Sequence, residues 1–172
     1  MTFKELSAKR YSVRKYKDTP VDRETLNAVL EAGRAAPTAG NRQPQRILAV
    51  TGKEGLEKLD RCTRSRNGAP AALIVCYDKN ECWVRPFDNA SSGEVDASIV
   101  ATAMMFQAVE LGLGTLWVMH FDPAKLVEEF AVPENLVPAA LLILGYAADD
   151  AVPADRHAQR HPLDKLVSWG KW

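Results

Sequence analysis

Only three cysteines occur in the 172 residues, Cys62, Cys76 and Cys82, and no two are spaced as C-x-x-C. Three thiols cannot all pair within one chain. Neither a disulfide framework nor a zinc knuckle is indicated, and a reducing, cytoplasmic setting is expected. Charge of one sign is missing as well, because 22 basic and 22 acidic side chains cancel. Nothing draws the chain as a whole toward nucleic acid or an anionic membrane, although a local cationic cluster can still hold a small anion. Long apolar runs are also absent. The stretches around 99–108 and 139–144 fall short of the roughly 20 residues that span a bilayer. The basic N-terminal segment, MTFKELSAKRYSVRKYK, lacks the apolar core of a signal peptide. There is no G-x-S-x-G elbow, and no phosphate loop ending in Gly-Lys-Ser/Thr. Gly112 and Gly114 lack the third glycine of a dinucleotide fingerprint. They also lie between a helix and a strand, the reverse of the order that fingerprint needs. No repeat, low-complexity block or linker divides the chain. The expectation is one soluble globular domain over residues 1–172.

What is present is a mixture of helix and strand patterns without regular βαβ alternation, which favours an α+β architecture. Thr2 and Glu5 have capping-box spacing and predict a helix over 3–9. Asp22 is the N-cap of the next helix, in which Leu26, Val29, Leu30 and Gly33 recur at helical spacing and Pro37 marks the stop. Strands are predicted over 46–51, 71–77, 115–119 and 139–146, and short helices over 53–62 and 123–130. The second strand is apolar throughout, as expected of one buried on both faces. The longest helical pattern covers 94–111. Val95, Ile99, Ala103, Phe106 and Val109 share a face, and further apolar residues go most of the way round, so the helix is either central or at an interface. Trp169 and Trp172 end an apparently structureless tail, which is expected to pack on something, a second subunit being one candidate.

Four clusters can carry chemistry. In an extended Arg10-Tyr11-Ser12-Val13-Arg14, residues 10, 12 and 14 point one way, placing two guanidiniums and a hydroxyl on one side. A solvated basic loop is the alternative. Ala36-Pro37-Thr38-Ala39-Gly40-Asn41-Arg42-Gln43-Pro44 concentrates amides and a glycine between prolines, as a ligand loop or as a plain turn. Leu111–Val118 is a helix end turning into a strand, where Trp117 belongs to the core or lies against a ring system. Arg160-His161-Pro162-Leu163 offers a late cation. His157 and His161 have metal-pair spacing, but Pro162 and the lack of a third ligand argue against a metal.

Taken in order and spacing, RYSVRKY, APTAGNRQP, ELGLGTLWV and RHPLDKLV resemble the nitroreductase family of FMN-dependent oxidoreductases across nearly the whole chain. The resemblance implies α+β subunits with a mixed sheet flanked by helices. It also implies a homodimer that exchanges terminal segments and binds FMN at the interface. Arg10, Ser12 and Arg14 would meet the cofactor directly, and Tyr11 through its backbone. Pro37, Thr38, Ala39 and Asn41 would come from the other subunit. Trp117, Val118 and Met119 would line the ring, and Arg160 would reach the phosphate. No catalytic dyad or metal is implied, since the cofactor carries the hydride chemistry between NADH or NADPH and a small acceptor such as a nitroaromatic or a quinone. Three residues depart from the common pattern. Gln45 stands where many members have an aromatic, and Met119 and His120 are bulky where many have glycine. They bear on the substrate face and leave open a flavin-binding protein without general reductase activity.

Overall fold

The computed structural model describes residues 1–172. Four strands, β1 (Gln45–Val50), β2 (Ala71–Asp78), β3 (Gly114–Val118) and β4 (Leu136–Gly145), form one sheet in the order β1-β2-β4-β3. The two central strands are the two with continuous apolar runs, because a strand covered on both faces has no position left for polar side chains. Leu73 pairs with Leu142, and Trp117 pairs with Leu142 from the other side.

All three strand pairings are antiparallel. This corrects the mixed sheet implied by the resemblance. The parallel component shrinks to an isolated Ser12–Thr115 bridge. The segment from Arg10 to Lys17 is too charged to form a full strand, and only Val13 is buried in it.

Helices cover both faces. On one lie α2 (Arg23–Ala35) and α4 (Gly93–Glu110), whose Val29, Val100 and Met104 join Leu73, Val75 and Leu142 in one core. On the other lie α3 (Lys53–Cys62) and α5 (Pro123–Phe130), where Leu59 and Leu126 pack with Ile74 and Ile143. The first helix, α1 (Phe3–Lys9), carries the expected capping box between Thr2 and Glu5. Asp22 and Asp122 accept backbone N–H bonds at the starts of α2 and α5. Each cap satisfies donors that a helix N-terminus otherwise leaves open.

The structure settles the inner face of α4 and corrects the reading of the tail. The core face of α4 is Ala97, Val100, Ala101, Met104 and Ala108, whereas Val95 is 61% and Ile99 38% exposed. Small residues let α4 lie close to the sheet, so the bulkier stripe is left outward. The tail is not structureless either: it forms a 3-10 turn at Asp155–Ala158 and α6 at Leu163–Leu166. Beyond them Trp169 and Trp172 stand free of the body. No helix is long and apolar enough to cross a membrane.

Candidate functional site

The first feature is a cationic cleft of about 280 Å³ formed by two distant stretches of chain, with Arg10, Ser12 and Arg14 from one and Arg156, His157 and Arg160 from the other. The first stretch leaves α1 at Arg10 and runs extended beside β3, where the Val13 N–H donates to the Thr115 carbonyl at 2.9 Å. Alternation then turns Val13 into the core and residues 10, 12 and 14 outward. The approach depends on Gly114, where a Cβ would sit 2.8 Å from Val13 Cγ2. The preceding turn closes α4 with Gly112 at φ +86°. The Gly112 N–H donates to Val109 O and the Leu113 N–H to Ala108 O, a Schellman ending.

The second stretch folds back through its 3-10 turn. Tyr11 Oη donates to Ala151 O at 3.3 Å, and its ring meets His157 edge-on at 6.2 Å between centroids. Tyr11 therefore fastens the tail and does not itself line the cleft. Arg14 Nη1 donates to Ser12 O at 3.1 Å, and Arg160 Nη1 to Gln159 O at 2.7 Å and to His157 O. None of the four guanidiniums has a carboxylate partner, since the ion pairs of the chain all lie elsewhere. Burial lowers the pKa of Arg10, and the charge of Arg160 lowers it further. Mutually repelling guanidiniums without counter-charge suit a doubly charged phosphate monoester, which planar Arg donors grip in pairs.

The second feature is the loop before β1. Pro37 and Thr38 lead into a 3-10 turn at Ala39–Asn41, and Gly40, Asn41 and Gln43 all have positive φ, between 52° and 58°. Thr38 Oγ1 accepts the Gln43 N–H at 3.0 Å. Asp96, 1% exposed, accepts the Ala39 N–H at 2.9 Å and the Ser92 hydroxyl at 2.7 Å. This loop does not line the cationic cleft.

The third feature is the end of β3. Trp117 is half-buried against the α2–α4 core, and Val118 points to the opposite core with 4% exposure. Met119 is 57% exposed and borders a smaller hollow with Tyr77, Glu94 and Phe121. Of the three, Val118 can meet a ligand only through its backbone. His120 is exposed, and its carbonyl accepts from Thr63 Oγ1 at 2.6 Å. Two buried side-chain oxygens, Gln45 Oε1 and Thr115 Oγ1, have no partner.

A model of the nitroreductase family matches residues 8–73 and 66–146, which takes in the first three motif clusters. The chain belongs to the nitroreductase family. A crystal structure of a nitroreductase family protein from Clostridium difficile 630 superposes with a TM-score of 0.94 and 44% identity over the whole of both chains. An FMN reductase (NAD(P)H) of Bacillus subtilis is 28% identical over 170 residues, 88% of this chain and 66% of that protein. An NADH dehydrogenase of Thermus thermophilus is 25% identical over 198 residues, 96% of this chain and 95% of that one.

For this nitroreductase-family chain, the structure places Arg10, Ser12, Arg14 and Arg160 around one cleft. Arg156 and His157 join them, although neither was assigned a role from sequence. The run R-H-A-Q-R-H was visibly basic, but nothing in it revealed the turn that faces it toward Arg10. Asp96 lies in the first turn of α4, where an acidic residue is favoured by the helix dipole alone. Its contact with Ala39 is a tertiary fact.

Proposed function

We propose that this chain is an FMN-dependent NAD(P)H oxidoreductase that reduces small electrophilic acceptors, nitroaromatics or quinones among them, by a ping-pong route. The observation that carries the reading is the four-guanidinium cleft without counter-charge, in a chain of the nitroreductase family. The naming of a relative as an FMN reductase supports FMN as the ligand. Arg10, Arg14 and Arg160 would hold its phosphate end, with Ser12 adding a hydroxyl. Bound there, FMN would supply the two-electron chemistry that links NAD(P)H to the acceptor. The net reaction oxidises NAD(P)H to NAD(P)+, and the acceptor gains the hydride together with a proton from solvent. The residues of the chain bind, orient and exclude water.

The reading extends to a homodimer in which residues 1–172 act as a single FMN-binding domain and the terminal segments are exchanged. Three features support it. The outward Val95–Ile99 stripe of α4 is apolar, and Trp169 and Trp172 lack a partner on their own body. The loop with Pro37, Thr38, Ala39 and Asn41 is polar and preformed, yet takes no part in lining the cleft of its own chain, as a contribution to a neighbouring site would not. Trp117, Val118 and Met119 would then line the ring from β3. Three unpaired cysteines are in keeping with a cytoplasmic protein.

Anaerobic stopped-flow absorbance tests the reading. Loss of the oxidised flavin band on mixing with NADH or NADPH, and its return on adding a quinone, is the expected result. A protein that binds FMN but is bleached by neither nucleotide would be a flavin-binding protein without reductase activity.

A further inference from the structure

We propose that Thr63 is a positioning residue for the flavin ring: its buried hydroxyl locks the turn after β3, so that backbone N–H groups of Met119 and His120 are held ready for the ring and favour its reduced form. The inference rests on the reading above, in which the end of β3 lines the ring. Thr63 follows α3 directly and is 5% exposed. Its Oγ1 accepts the Ser65 N–H at 3.1 Å, which leaves the hydroxyl proton for the His120 carbonyl at 2.6 Å.

The turn so held is short and closely determined. The Phe121 N–H donates to Met119 O at 3.1 Å, a three-residue γ-turn centred on His120. The Asp122 N–H donates to Cys62 O at 2.9 Å. Cys62 and Thr63 thus grip the turn from adjacent positions. The peptide between Met119 and His120 is planar and trans. With its carbonyl turned to Phe121, its N–H faces the opposite way. Neither that N–H nor the Met119 N–H, just past the last paired residue of β3, enters any hydrogen bond of the chain. Two free donors are therefore fixed at the residues that follow Trp117 and Val118. A ring that gains two electrons becomes electron-rich, and donors held in place beforehand stabilise that state without reorganisation. A turn released from Thr63 is free to swing a carbonyl toward the ring instead, where its lone pairs oppose the added charge.

The test measures the midpoint potential of bound FMN, by equilibration with a reference dye, in wild type, Thr63→Val and Thr63→Ser. Valine keeps the shape and deletes the hydroxyl, whereas serine keeps the hydroxyl. The expected result in Thr63→Val is an about tenfold loss of preference for reduced over oxidised FMN, read as a potential about 30 mV more negative for a two-electron couple. Thr63→Ser stays at the wild-type potential. Thr63→Cys, whose thiol is a weaker donor, falls between, and it carries the comparison if the valine variant does not fold. A merely structural clasp would lower the melting temperature and leave the potential alone, so a wild-type potential in Thr63→Val, or in Thr63→Cys standing in for it, overturns the proposal. An equal shift in Thr63→Ser overturns it too, by making the packing of the methyl group the cause. Failure of the reductase reading looks different, since wild type itself would then take up no FMN or not be bleached by NAD(P)H.

Discussion

The carboxylate of Asp96 accepts the backbone N–H of Ala39 at 2.9 Å, joining the start of α4 to a loop 57 residues away in the sequence. Its second oxygen takes the Ser92 hydroxyl, so both oxygens of a buried charge are engaged. Asp96→Ala leaves the Ala39 N–H without its acceptor and is expected to cost about 1–3 kcal/mol of stability. Asp96→Asn keeps an acceptor for Ala39 and should cost less. Urea denaturation gives both values, and FMN titration should show weaker binding in the alanine variant.

The arginines of the cleft should show opposite signs for stability and binding. Burial and Arg160 both disfavour the charged form of Arg10, so without ligand the two guanidiniums oppose each other. Arg160→Gln is expected to leave the melting temperature of the FMN-free protein unchanged or slightly raised. It should also weaken FMN by about 10- to 100-fold, the scale of lost charge-assisted hydrogen bonds. Differential scanning fluorimetry and fluorescence titration check the two halves separately.

Much of this arrangement could be read from the chain. Thr2 with Glu5, Asp22, and Asp122 before Pro123 each begin a helix where the sequence placed it, because a cap is a local interaction. The apolar runs of β2 and β4 fell within a few residues of their observed ends. The orientation of α4 was not legible, because a helix that is apolar nearly all round does not declare its inner face. Close packing of Ala97 and Ala101 decided it, over the bulkier Val95 and Ile99. The roles of Arg156, His157 and Asp96 were hidden for the same reason. His157 is placed by Tyr11 and Asp96 by Ala39, residues far away in the sequence.

Gly114 should be intolerant of any side chain. A Cβ there would press on Val13, which is buried and stiff, so Gly114→Ala is expected to destabilise by about 1–3 kcal/mol and to displace the 10–14 segment. Combining it with Val13→Ala removes the two γ-methyls, the nearer of them at 2.8 Å, and leaves only the Val13 Cβ at 3.1 Å. The double variant should therefore lose less than the sum of the single ones, as read by a double-mutant cycle.

Thiol chemistry should separate the cysteines without touching turnover. Burial pushes Cys76 up to about 11, and burial also raises Cys62 and Cys82. Of the three only Cys82 is partly exposed. At neutral pH an alkylating reagent is expected to label Cys82 first and slowly, with Cys62 and Cys76 labelled only on unfolding, as mass spectrometry would show. Cys82→Ser should keep wild-type reductase activity.

Calorimetric titration of the FMN-free protein with FMN and with riboflavin tests the central claim most directly, because the two ligands differ only in the phosphate that Arg10, Arg14 and Arg160 are taken to hold. The account predicts one FMN per protomer, bound at least about 100-fold more tightly than riboflavin, as several charge-assisted hydrogen bonds require. Equal affinity for the two, or no binding of either, would contradict it.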